Sequence, residues 1–162
     1  MKAWIGGLAV ALAVASPAHA DGGLTDDQVT GALENQGFEP ELASEDAGSF
    51  WTGQFTTSGG MEVSFVVRPY NCVSETGRCS TFNLFANFNA DEASSSDMRD
   101  KLNHYNDTYM LGRGFALSNA VGVDYVVIVD GDLGTAFFER RIAEFPDIVA
   151  DFLKVVNDEE DE

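Results

Sequence analysis

Cys72 and Cys79 are the two cysteines of the chain, and they bracket the polar segment Val73-Ser74-Glu75-Thr76-Gly77-Arg78. Strand-like runs flank them. Met61 to Tyr70 contains Val63-Ser64-Phe65-Val66-Val67, and Thr81 to Asn89 alternates Phe82, Leu84, Ala86, Phe88 with Asn83, Phe85, Asn87, Asn89. A period of two in β-branched and aromatic residues reads as a strand with one face buried and one wet. The thiols therefore face each other across a hairpin mouth, and an oxidising compartment would join them in a structural disulfide. A metal or redox pair is the competing reading, but the chain has no second cysteine pair and no C-x-x-C. Phe85 breaks the alternation: it is an aromatic on the wet face, to be met by a helix or left exposed for a partner.

The start of the chain bears on the redox question. Met1 and Lys2 precede an apolar run from Ala3 to Ala15 and a polar exit Ser16-Pro17-Ala18-His19-Ala20. This is the three-part form of a secretory signal peptide, with an A-x-A pattern placing cleavage between Ala20 and Asp21. An apolar run of 13 residues is short of the about 20 that a spanning helix needs. No cysteine lies near the cut to be lipidated, so no membrane anchor is expected and the product should be periplasmic or secreted.

The mature chain reads as α+β, with an antiparallel sheet packed by helices in the order α-ββββ-α-ββ-α. Thr25-Asp26-Asp27-Gln28 has the spacing of a capping box, so a first helix runs to Gln36, with Val29, Ala32, Leu33 and Gln36 on one stripe and Gly37 as its stop. Strands are expected over Phe38–Ser44, at an edge because of Pro40, and over Phe50–Thr57, Met61–Tyr70 and Thr81–Asn89. Ser94 to Asp97 caps a second helix reaching Tyr109, with Met98, Leu102, Tyr105 and Tyr109 on its packing stripe. Strands Gly114–Ser118 and Asp124–Asp130 follow, joined through Asn119-Ala120-Val121-Gly122. The consecutive apolar residues Tyr125 to Val129 predict a strand covered on both faces. A last helical phase runs from Phe137 to Val156 straight through Pro146, which calls for a kink or a break. The expected divisions are a leader over 1–20, one domain over 21–156 and an acidic tail over 157–162.

Charge narrows the function. Nine Lys and Arg stand against 27 Asp and Glu, a net charge of -18, and removal of Lys2 with the leader makes the chain more negative still. Such a field repels phosphate backbones and anionic lipid, so nucleic acid is excluded as a partner and a basic protein or peptide is favoured. No nucleophile elbow, zinc-protease helix, dinucleotide fingerprint or phosphate loop is present. His104 is the one histidine of the mature chain, and with the Asp107 carboxylate three residues on it makes a poor metal site. Asp130-Gly131-Asp132 lacks the further ligands of a calcium loop and reads as a polar turn. No catalytic residue, metal ligand or cofactor is assigned.

The order of elements, together with Cys72, Gly77-Arg78-Cys79, Phe82, Phe85, Ala86, Phe88, Asn103-His104-Tyr105-Asn106, Gly112-Arg113 and the strand Tyr125 to Asp130, resembles the YbjN-like family of bacterial sensory transduction regulators. The resemblance covers Leu24 to Val156. It implies a fold similar to type III secretion chaperones, whose surfaces bind extended polypeptide, and carries no enzymatic activity or cofactor with it; Asn103, Asn106, Gly112 and Arg113 are the motif positions matched here. The turn Asn119 to Gly122 and Pro146 depart from the family pattern. Two functions are carried forward. One is a non-enzymatic exported interaction or regulatory module, chaperone-like or stress-related, monomeric or homodimeric, with Trp51 and Phe85 as partner-binding candidates beside Phe50 and Phe55. The other is a small carboxylate-based hydrolase or divalent-cation-binding protein.

Overall fold

The computed structural model describes residues 22–45 and 48–158. The leader, its cleavage point at Ala20 and Asp21, and the end of the acidic tail lie outside the described residues.

The first helix, α1 (Asp26–Asn35), starts on the expected capping box: the Gln28 amide donates to the Thr25 hydroxyl while the Thr25 amide donates to Gln28 Oε1. It ends where Gly37 takes a left-handed φ of 78°, open to glycine at little cost. The chain then passes through β1 (Glu41–Glu45), β2 (Gly48–Thr56), β3 (Glu62–Val73), β4 (Arg78–Asn89), α2 (Ser96–Thr108), β5 (Arg113–Ala116), β6 (Ala120–Ile128), α3 (Thr135–Ile142) and α4 (Phe145–Val156). All strands pair antiparallel in one sheet ordered β1-β2-β3-β4-β6-β5. The α+β class and most of the element order are as the sequence indicates.

The differences have physical causes. Phe38 turns inward to the core, meeting Phe65 with ring centroids 5.1 Å apart, and Pro40 has no amide to offer a ladder, so β1 begins only at Glu41. The central hairpin is longer than expected. β3 and β4 continue through the cysteines, which occupy directly opposed positions, so the polar segment spans only Ser74 to Gly77. β6 starts at Ala120 rather than Asp124, because Gly122 lets it pass close beside β4. A Cβ there would fall 2.4 Å from Asn87 Oδ1 and 2.6 Å from the Phe115 ring. The expectation that this strand is covered on both faces is corrected. Val121, Val123, Tyr125 and Val127 are buried, but Val126 and Ile128 on the opposite face are 50% and 59% exposed. The last helix breaks rather than kinks: Pro146 stands in the first turn of α4, where its missing amide costs nothing, after α3 has ended at Ile142.

Helix stripes and one sheet face enclose a single apolar cluster that includes Val29, Leu33, Trp51, Phe65, Leu84, Val123, Phe138, Phe145 and Phe152. Trp51, expected as a partner-binding candidate, belongs to this cluster. It is 1% exposed, and its indole N–H donates to the Thr30 hydroxyl at 2.9 Å. Its place on β2 opposite Val67 puts it on the helix-covered face, so the reading of Trp51 as a surface residue is corrected. Phe55 is buried in the same layer.

Cys72 and Cys79 are joined by a disulfide. The joined strand end also holds the start of the described chain. The Leu24 amide donates to the Cys79 carbonyl, the Cys79 amide to the Leu24 carbonyl, each at 2.9 Å, and Arg78 donates to the Gly23 carbonyl. Closing so short a loop restrains the unfolded chain by about 2 to 3 kcal/mol. The Cys72→Ser, Cys79→Ser double variant is expected to lose that amount in urea unfolding, and a midpoint equal to that of the oxidised chain would remove the staple from the account.

Candidate interaction surfaces

The α2–β5 corner gathers three of the four family-motif positions. The Asn106 side chain clamps β5 through both backbone polar groups of one residue: its Oδ1 accepts from the Gly114 amide at 2.7 Å and its Nδ2 donates to the Gly114 carbonyl at 3.1 Å. Gly112, at φ 77°, lets the chain turn tightly beneath α4. Arg113 then crosses β5 to Asp124 of β6, its register partner, with Nε to Oδ1 at 3.1 Å and Nη2 to Oδ2 at 2.5 Å. Asn103 faces solvent on α2. His104 also faces solvent, near the Thr108 hydroxyl.

The Arg113–Asp124 pair is asymmetric. The Asp124 side chain is 9% exposed and that of Arg113 is 72% exposed. Removing the exposed cation would strand a buried carboxylate, whereas removing the carboxylate would leave an arginine that water can solvate. Arg113→Ala is therefore expected to cost about 1 to 2 kcal/mol, discounted from the fully buried case because water reaches the pair. Asp124→Asn should cost less, and the double variant should recover part of the Arg113→Ala loss. Thermal unfolding of the three proteins checks this, and equal losses from both single variants would contradict the asymmetry.

The pair lies on the sheet face opposite the helices. Across this face the register aligns Val66, Phe85, Asp124 and Arg113 in one row, Arg68, Asn83 and Val126 in the next, and Tyr70, Thr81 and Ile128 in a third. All the described helices pack on the other side, through Trp51, Phe65, Leu84, Val123 and their neighbours. Phe85 is thus met by no helix and is half-buried among its neighbours on the bare face. Phe50, half-buried, lies under the Arg68 guanidinium, 5.5 Å from the ring centroid, and Tyr70, Val126 and Ile128 are exposed. Apolar side chains of this size on an uncovered sheet face mark an interaction surface.

Two depressions lie elsewhere. One, of about 890 Å3, runs beside the edge strand β1 and is bordered by Glu34, Glu39 and Glu41. Carboxylates along a short edge strand keep other strands from pairing with it. The other, of about 280 Å3, lies between the end of α2 and α4 and is lined by Tyr105, Tyr109, Met110 and Ile148. Burial pushes the Tyr105 hydroxyl well above the ordinary tyrosine range, and that hydroxyl donates toward the Leu111 and Ile148 carbonyls. Among the described residues no three His, Cys, Asp or Glu side chains converge as a metal site. The Asp130 carboxylate of the Asp-Gly-Asp turn accepts from the Gly131 amide at 2.7 Å.

Sequence reasoning had not singled out Asp124 or the tyrosine groove. Asp124 carried a usable signal, a lone acid within Val121-Gly122-Val123-Asp124-Tyr125-Val126, since a charge in an apolar strand calls for a cation nearby. The groove carried none, because α2 and α4 are far apart along the chain.

The fold that carries these features is a two-layer α+β domain with one bare sheet face, a stapled hairpin and a clamped α2–β5 corner. The chain belongs to the YbjN family, described as "Putative bacterial sensory transduction regulator", whose model matches residues 25–157. No curated protein matches the chain.

Proposed function

We propose that the protein is an exported, non-enzymatic regulatory module that binds a protein partner through the bare face of its sheet. The observation that carries this reading is the uncovered row structure around Phe85, Val126, Ile128 and Tyr70. A core-forming sheet in a monomer ordinarily hides such side chains on one face and presents polar ones on the other. Membership of a family of regulators agrees with a binding role. The leader pattern and the paired cysteines support export to the periplasm or the medium. The net charge of -18 favours basic partners and opposes close self-association.

The test is affinity capture of the mature, oxidised protein from periplasmic extract under non-reducing conditions, beside Val126→Glu and Ile128→Glu. Both positions are exposed, so the variants should keep the wild-type melting temperature. A partner held by wild type and lost by both supports the reading. Equal capture by all three, or capture by none, overturns it. The Cys72→Ser protein reports whether the staple matters to the surface.

A further inference from the structure

The groove between α2 and α4 sets aromatic and aliphatic side chains at the edge of the core beside a row of carboxylates. Its walls are aromatic and aliphatic: Tyr105 and Tyr109 stack with centroids 4.9 Å apart, and Ile148 closes one side. Met110, at its mouth, is 98% exposed. Along the α4 side stand Glu144, Asp147 and Asp151. These three carboxylates follow one helical face at steps of three and four, an arrangement that repels itself. Their internal partners are unequal. Glu144 accepts from both Arg141 and the Tyr125 hydroxyl at 2.9 Å. Asp151 meets Lys154 at 3.5 Å, and among the described residues the Asp147 side chain has no hydrogen bond or ion pair.

We propose that this groove receives one lysine or arginine side chain of a partner polypeptide. Such a side chain has the two parts the groove requires. Its alkyl stem covers Tyr109, Leu111 and Met110, the accessible apolar part of the lining, and its charged head reaches Asp147 and Asp151. An acidic or purely apolar side chain meets one part and is opposed by the other: the first by carboxylate repulsion, the second by desolvation of carboxylates without compensation. The net charge of the chain draws basic segments toward it from a distance. The inference takes from the reading above only that the partner is a polypeptide, and it names that partner's chemistry on a second surface.

The test uses short synthetic peptides that differ in one central residue, Lys, Arg, norleucine or Glu, titrated into the mature oxidised protein labelled at the methionine methyl groups. The Met110 methyl resonance is expected to move with the Lys and Arg peptides and not with the norleucine or Glu peptides, with a response that weakens as salt is raised. The Asp147→Asn, Asp151→Asn double variant should bind the Lys peptide about tenfold more weakly with little change in thermal stability, since relief of the like-charge pair offsets the loss of the exposed Lys154 pair and of the acid in the first turn of α4. Movement with norleucine equal to that with lysine, no movement with either basic peptide, or full affinity in the double variant would each overturn the proposal. Val126→Glu serves as the separating control. It should leave the Met110 response intact, so failure of the bare-face reading and failure of this one are told apart.

Discussion

Phe145→Ala is expected to lower the unfolding free energy by about 3 to 5 kcal/mol, the usual range for a phenylalanine truncated in a packed interior. Phe145 is fully buried at the first residue of α4. Its ring lies 5.9 Å from those of both Phe55 and Phe65, which pack with Phe38 at 6.0 and 5.1 Å. These four rings come from the segment before β1, from β2, from β3 and from the break between α3 and α4, so their contact ties the end of the chain to the first half of the sheet. Alanine is a better helix former than phenylalanine, so local helix propensity cannot account for the loss. A domain of this size has about 5 to 15 kcal/mol in total, so a fifth or more would disappear. Urea unfolding should show a lower midpoint with an unchanged slope, and Phe145→Leu should fall between the two. A loss below about 1 kcal/mol would mean that the rings do not form one packed unit.

Gly112→Ala is expected to cost about 2 to 5 kcal/mol, from two sources that add. The residue has φ 77°, where a Cβ costs about 1 to 2 kcal/mol. That Cβ would also lie 2.6 Å from Ile148 Cγ2 and 3.1 Å from Val123 Cγ2, and such overpacking costs about 1 to 3 kcal/mol. The two sources separate in a double-mutant cycle. Ile148→Ala removes the closest obstacle but not the backbone strain, so in the Gly112→Ala, Ile148→Ala protein the steric part should be recovered and the strain part retained. Strict additivity of the single losses would show that the contact with α4 is absent. Because Gly112 separates the tyrosine groove from Arg113, the same substitution should also disturb the Met110 resonance, whereas Phe145→Ala should do so only as the whole domain unfolds.

Much of the fold can be read from local pattern because the forces responsible are local. The capping box at Thr25 and Gln28 is satisfied within one turn, the alternation of Phe82 to Phe88 follows from the pleat, and the two cysteines are opposed because a tight hairpin leaves them nowhere else to go. The last apolar phase, continuous through Pro146, predicted an interruption but not its form. Proline tolerates the first turn of a helix, so the chain stops at Ile142 and restarts with Pro146 near the new N-terminus.

Burial was less legible. Trp51 and Phe85 looked alike in sequence as aromatics in strands, yet one is sealed against α1 and the other lies on the face without helices. The run Tyr125 to Val129 promised cover on both sides, and only one side has it. Where a strand is apolar on both faces, its own residues do not say which face the helices will take, because that choice depends on the direction of the connections around it.

What the sequence determined by itself is the set of elements, the hairpin with its disulfide, the strongly acidic surface and the family likeness carried by Asn106, Gly112 and Arg113. These follow from backbone chemistry, side-chain period and charge, each confined to a few neighbouring residues. Only the tertiary structure decided that all the described helices lie on one face, that Arg113 meets Asp124 across two strands, and that Tyr105, Tyr109 and Met110 meet the carboxylates of α4. Those juxtapositions join segments distant along the chain, and they form because apolar surface leaves water wherever packing allows, a condition that no single segment records.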